Sequence, residues 1–206
     1  STWEGGGLSR ATTAGTAAVV GNDGKRTNEA AFWDRFAARY VEQVREDSPL
    51  FDACYRQEFQ QAKVFCGFTP KARAAVEACK TAGHRVALAT NPIFPAVATE
   101  SRIRWAGLAP ETFAWYPTSE NIGYCKPTPA YHPALLRYLD CRAEDCLMVG
   151  NDVEEDMMAA QAAGLPVFLL TDCLLNRKEK AISSYPHGAF DALLALVEEW
   201  GGEASL

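Results

Sequence analysis

From Lys71 to Gly83 the apolar side chains Ala72, Ala75, Val76 and Cys79 recur at i, i+3, i+4 and i+7, and Gly83 follows as a left-handed stop, so the pattern predicts a helix. The period then changes. Arg85 to Ala89 (RVALA) is a short apolar run closed by Thr90, Asn91 and Pro92, which predicts a buried parallel strand ending in a loop. The alternation continues with a helix over about Ala96–Trp105, a strand around Phe113–Tyr116 and a helix ending near Asp140. After it come a strand Cys146–Val149, a helix from about Glu154 to Ala163 stopped by Gly164, a strand Pro166–Leu170 and a last helix Phe190–Trp200. Alternating strands and helices imply an α/β class, a parallel sheet covered by helices on both faces through right-handed crossovers.

The first part lacks that alternation. Asn28–Arg45 and Pro49–Lys63 read as two helices joined by a short turn, with Phe32, Phe36 and Tyr40 along one apolar stripe and Pro49 suited to a first helical turn. Residues 1–63 are therefore expected to form a small helical lobe with Trp33 in its core, and residues 64–206 an α/β core. No internal repeat is visible, and the only low-complexity patch is Gly5 to Gly7.

Composition narrows the function classes. With 206 residues, 48% of them hydrophobic and 22% charged, the chain is long enough for one filled core plus a lobe. A net charge of -6 offers no broad positive field, so neither nucleic acid nor a membrane is expected as partner. No apolar run approaches the roughly 20 residues that cross a bilayer, and the Gly-rich start lacks a secretory pattern, so a cytoplasmic location is expected. The seven cysteines are never spaced as CxxC, which argues against a disulfide framework or a zinc site. Cys125 precedes a lysine that would lower its thiol pKa in an active site, but inert packing is the reading adopted.

In an open α/β sheet, ligands bind beyond the carboxyl ends of the strands. Thr90 and Asn91, after RVALA, offer a hydroxyl and backbone N–H groups suited to a phosphate oxygen, although a Thr-Asn-Pro turn also serves as plain punctuation. Lys126 sits before Pro127, which stiffens its backbone; alone it would read as a solvated surface lysine. The helix after it begins at Thr128-Pro129 or, because Pro133 would cost a hydrogen bond farther in, at Pro133. The strongest local signal is CLMVGNDVEEDMMAAQAAGLPVFLL, where an apolar strand ends in Gly150, Asn151 and Asp152 and Asp156 follows. Clustered carboxylates repel one another and make sense around a hard divalent cation such as Mg2+. The helix dipole accounts for Glu154 and Glu155 without a metal, and for Asp152 less well.

Thr90, Lys126 and the Asp152/Asp156 pair, in this order and each just after a strand or before a helix, resemble motifs two, three and four of the haloacid dehalogenase-like (HAD) superfamily, over about Lys71 to Asp172. The stretch ATNPIFPAVATESRIRWAGL also looks like one bacterial branch of these hydrolases. The resemblance implies a HAD-like Rossmannoid sheet with a helical cap that selects substrate. It also implies Mg2+-dependent hydrolysis of a small phosphorylated metabolite through an aspartyl-phosphate. In it Thr90 and Lys126 are catalytic, and Thr90, the backbone at Asn91 and Lys126 hold the phosphoryl group. The metal falls to Asp152 and Asp156, with Asn151 possible: four residues back from Asp156 is Asp152, five back is Asn151.

The superfamily's first motif, an Asp-x-Asp pair that supplies the nucleophile at the end of the central strand, does not occur in this sequence. Aligning Asp23-Gly24 of AAVVGNDGKRTN with its second half puts Gly21 at the nucleophile, whereas TTAGTAAVVGNDGKRTNEAAFW also resembles the cap helices of the same branch, with the first motif then lying upstream. The expectation is a sheet with a gap at its centre or one completed by another segment. Two other readings stay open: a non-catalytic binding module on the same fold, and a dehalogenase that needs no metal.

Overall fold

The computed structural model describes residues 5–38 and 48–203. The chain divides into two compact units, Ser1–Gly67 with Thr90–Trp105 and Pro117–Cys125, and Phe68–Ala89 with Ala106–Tyr116 and Lys126–Leu206. Among the described residues no helix is long and apolar enough to cross a membrane.

The second unit carries a parallel sheet in the order β1 (Met148–Gly150), β2 (Val167–Leu170), β3 (His187–Gly188), with Met148 opposite Val167 and Leu169 opposite His187. Successive side chains of a strand point to opposite faces, and β2 uses both. Val167 and Leu169 pack with Met148, Val153, Met157, Ala160 and Leu165, while Phe168 and Leu170 pack with Ala75, Phe190, Leu193 and Val197. The second cluster is the contact of β2 with α4 (Pro70–Thr81) and α8 (Phe190–Glu203), so helices cover both faces as the sequence pattern predicts. β3 has no apolar run to announce it and was not predicted.

Helix ends follow the local chemistry. Thr69 caps α4 by accepting from the Lys71 N–H, and Gly83 (φ +84°) closes it, with Gly83 N donating to Lys80 O and His84 N to Cys79 O. Gly164 (φ +85°) ends the helix before β2 in the same way, Gly164 N to Gln161 O and Leu165 N to Ala160 O. The helix after Lys126 starts at neither expected position. It runs over Tyr131–Leu139, which puts Pro133 in the first turn, where a missing N–H breaks no helical bond.

The expected strands Arg85–Ala89 and Phe113–Tyr116 are corrected: neither is a strand in the structure. They do touch, through Ala114 N to Val86 O (2.8 Å) and Leu88 N to Trp115 O (3.0 Å). A parallel bridge would need the second acceptor to be Ala114 O, so the register slips by one residue and no ladder forms. Among the described residues no backbone hydrogen bond joins this pair to β1, and Val149 in the middle of β1 is 37% exposed. Among the described residues the sheet is thus not continuous from β1 to the Val86–Leu88 segment.

In the first unit, Gly5–Val20 is a helix, so the AAVV run before Asp23 is helical and Asp23 does not follow a strand; it pairs with Lys25 at 2.7 Å on the surface. Thr27 caps the helix Asn28–Ala37, accepting from Ala30 N, and the rest of the expected helix to Arg45, with Tyr40, lies outside the described residues. The expected helix Pro49–Lys63 is broken at Gln57 into an α-helix Ser48–Arg56 and a 3-10 helix Glu58–Phe65. Phe32, Trp33, Phe36 and Phe51 form a ring cluster, with Trp33 and Phe51 centroids 5.1 Å apart, which makes Trp33 part of a core. The fully buried Asn28 ties the unit together, its amide donating to Pro92 O and Tyr124 O and accepting from Asn22.

Phe168→Ala, which empties the space between α4, α8 and β2, should lower unfolding stability by about 3–5 kcal/mol. Phe65→Ser, at a side chain 90% exposed, should change it by less than about 0.5 kcal/mol. Urea titration of both variants checks this.

Candidate active site

The sequence between β1 and β2 builds the site around one carboxylate. Asp156 Oδ1 accepts from Lys126 Nζ at 2.5 Å, and Asp156 Oδ2 accepts from the backbone N–H groups of Asn151 (3.0 Å) and Asp152 (3.1 Å). The Lys126 and Asp156 side chains are 6% and 10% exposed, so neither charge is left to water. The Lys126 ammonium also lies 5.6 Å from the centroid of the buried Tyr131 ring, a cation–π distance. The Lys126–Pro127 peptide is cis.

Gly150 makes this approach sterically feasible. A Cβ there would stand 2.5 Å from Asp156 Cβ and 2.6 Å from its Cγ. The chain after β1 then winds as a π-helical turn over Val153–Met158, with Met157 N reaching back five residues to Asp152 O, before the α-helical turn Ala159–Ala162. That wider turn sets Asp156 beneath the β1 terminus.

Asp152 is the N-cap of the turn. Its Oδ1 accepts from the Glu154 and Glu155 N–H groups, both at 2.9 Å, and its Oδ2 from Arg177 Nη1 at 2.5 Å. Burial works to raise the Asp152 pKa, but the Glu155 N–H, the Arg177 guanidinium and the Glu154 N–H outweigh it and hold the carboxyl below the usual carboxylate range. Asn151 donates its amide N–H to Cys173 O at 2.7 Å. Glu154 pairs with Lys178 at 2.9 Å and lies 3.7 Å from Lys180. Burial and the Asp152 carboxylate push the Glu155 pKa up.

Protein cations thus pair with Asp152, Glu154 and Asp156, which revises the argument that so many clustered carboxylates need a metal. Among the described residues no three His, Cys, Asp or Glu side chains are gathered as a metal site. The residues fit Mg2+ in a narrower sense: such an ion commonly takes only one or two carboxylates and fills the rest with water and phosphate oxygens. Asp152 Oδ2 is the carboxylate oxygen of the pair whose partner is a side-chain cation 58% exposed rather than a backbone N–H or a buried lysine.

Of the residues singled out from sequence, Lys126, Asn151, Asp152 and Asp156 come together in the second unit, while Thr90 and Asn91, half-buried in the loop after Val86–Leu88, belong to the first. Cys125 is fully buried in the first unit, with Asn28 Nδ2 3.4 Å from its sulfur. Sequence reasoning missed Arg177 and His132. Arg177 had only its place in the basic run RKEK to announce it. His132, 1% exposed, has no hydrogen-bond partner at either ring nitrogen among the described residues. Burial, helped by the Lys126 charge, pulls its pKa down to about 4.

Two outcomes follow. Gly150→Ala should displace the Asp156 carboxylate and cost about 2–3 kcal/mol, read from urea midpoints. His132 is neutral when folded while the unfolded chain takes up a proton below about pH 6.5, so stability falls as pH drops from that value towards 4. The loss between pH 7 and pH 5 should be about 2 kcal/mol. His132→Phe should remove that pH dependence and raise stability at pH 7, because it deletes two buried, unpaired nitrogens.

Residues 10–164 match the haloacid dehalogenase-like hydrolase family. Over 134 residues the chain is 34% identical to a phosphoglycolate phosphatase of Yersinia pseudotuberculosis serotype I (strain IP32953); the match covers 65% of this chain and 53% of that protein, about half its length. Among solved structures, a predicted phosphoglycolate phosphatase from Haemophilus somnus 129pt superposes with a TM-score of 0.55 at 20% identity, over 93% of this chain and 92% of that one. The L-2-haloacid dehalogenase RSc1362 does so with a TM-score of 0.54 at 17% identity, over 93% and 81%. Identities this low speak for the fold alone, but the family match spans most of the sequence and includes the Lys126–Asp156 centre: this chain belongs to the haloacid dehalogenase-like hydrolases.

Proposed function

We propose that the chain supplies the phosphate-handling part of a Mg2+-dependent phosphatase acting on a small phosphate ester, with the attacking aspartate coming from outside these 206 residues. The observation that carries this reading is the buried Lys126–Asp156 pair seated on the backbone of Asn151 and Asp152. The phosphoglycolate phosphatase likeness supports the substrate class.

In this reading the reaction runs through an aspartyl-phosphate that water later hydrolyses. Lys126, its ammonium oriented by Asp156 and the Tyr131 ring, offsets charge on the nucleophile and the phosphoryl group. The Thr90 hydroxyl and the backbone at Asn91 hold phosphoryl oxygens. Asp152 and Asn151 offer side-chain oxygens to the metal, and Asp156 would join them through Oδ1, which accepts only from Lys126 among the hydrogen bonds described above. Bound Mg2+ would neutralise phosphate charge and orient it for in-line attack. The helices of residues 1–63 act as a cap that excludes water and selects substrate.

A second reading, a binding module without turnover, is favoured by one observation: the sequence contains no Asp-x-Asp. Phosphate release from p-nitrophenyl phosphate with Mg2+, on this chain and on a form extended upstream, separates the two. Activity confined to the extended form and abolished by Asp152→Ala with Asp156→Ala is the expected result. Inactivity of both forms with Mg2+ still bound would favour the module.

A further inference from the structure

The loop from Cys173 to Lys180 is fastened to the acidic turn. Asn151 Nδ2 donates to Cys173 O (2.7 Å), Leu175 N to Asn151 O (2.8 Å) and Val153 N to Leu175 O (3.0 Å). The Asn176 side chain closes the loop on itself, donating to Lys180 O (2.8 Å) and accepting from Lys180 N (3.0 Å). Between these ties stands Arg177. Its guanidinium reaches Asp152 Oδ2, while Asp152 Oδ1 stays committed to two backbone N–H groups.

The contact is asymmetric. The Asp152 side chain is 8% exposed and the Arg177 side chain 58%. Asp152 has little water to stabilise its charge and needs a cation beside Oδ2, whereas Arg177 can swing into solvent at little cost. A divalent ion carries twice the charge of a guanidinium and approaches the same oxygen, so the two positive charges repel each other there and each weakens the hold of the other.

Building on the metal reading above, we propose that Arg177 is a resident competitor of the divalent cation at Asp152: it holds the carboxylate in place when the ion is scarce and leaves when the ion binds. Neighbouring Lys178 serves as an internal control, because it carries the same charge on the same loop but pairs with Glu154.

Isothermal titration of Mg2+ into the wild-type chain, Arg177→Gln, Lys178→Gln and Asp152→Asn, at one ionic strength, tests the competition. Circular dichroism melting confirms that each variant is folded. Arg177→Gln should bind Mg2+ on the order of fivefold more tightly than wild type, the factor set by an exposed ion pair of ordinary strength. Lys178→Gln should shift it less than about twofold, since its charge acts at longer range and is screened, and Asp152→Asn should abolish binding. Unchanged or weaker binding by Arg177→Gln, with Asp152→Asn still abolishing it, overturns the competition and leaves the metal reading standing. Binding that survives Asp152→Asn, or is absent from every protein, overturns both.

Discussion

The second unit turns on where the Asp156 carboxylate is allowed to sit. A buried carboxylate loses hydration worth several kcal/mol and is tolerated only with its oxygens paired. Asp156 meets that demand with one lysine and two backbone N–H groups, all of which must arrive at the end of β1. The demand fixes three features otherwise unrelated in sequence: no side chain at residue 150, a π-helical turn in which Asp152 O accepts from both Asp156 N and Met157 N, and a lysine delivered from the loop before α6 (Tyr131–Leu139). Taking away any one leaves a buried charge or an unpaired backbone group, which is more costly than the pair is stabilising.

Around that centre the protein neutralises its own acids. Asp152, Glu154 and Asp156 are set against Lys126, Arg177, Lys178 and Lys180, and the acids divide by what holds them. Asp156 is locked by a buried lysine. Glu154 is held by exposed lysines whose pairs are screened. Asp152 lies between, one oxygen spent on a helix cap and the other on a solvent-facing arginine, so it is the member of the cluster most open to exchange of its cation.

How much of this was legible depends on whether the signal is local. Helix ends were: Gly83 and Gly164 close helices because a left-handed residue is needed there, whatever the surroundings. β2 was, because a strand buried on both faces must be apolar throughout. The Arg85–Ala89 and Phe113–Tyr116 segments have strand composition, but a strand exists only by virtue of its partner, and their mutual register is off by one residue. β3 is invisible for the converse reason, since His187-Gly188 qualifies only through its bonds to β2. Lys126, Asp152 and Asp156 could be picked out by their place after strands and before helices, whereas Arg177, 25 residues from Asp152, gives only the sign of its charge. Pro133 misled in a third way: which turn of the helix it occupies decides whether its missing N–H matters, and only the structure fixes that.

A sheet of this kind accommodates phosphatases and dehalogenases alike, so the fold does not choose the chemistry. The local charge does more. Lys126, Arg177 and Lys178 each pair with one acid of the turn after β1, so much of its negative charge is compensated before any ligand enters. A phosphate monoester brings close to two negative charges, and the Lys126 charge that would meet it is already shared with Asp156. Such a dianion is disfavoured there unless positive charge enters with it, and one divalent cation restores the balance. A haloacid carries a single carboxylate and needs half that compensation. On this reasoning the proposed phosphatase reading calls for a divalent cation more strongly than the dehalogenase reading does.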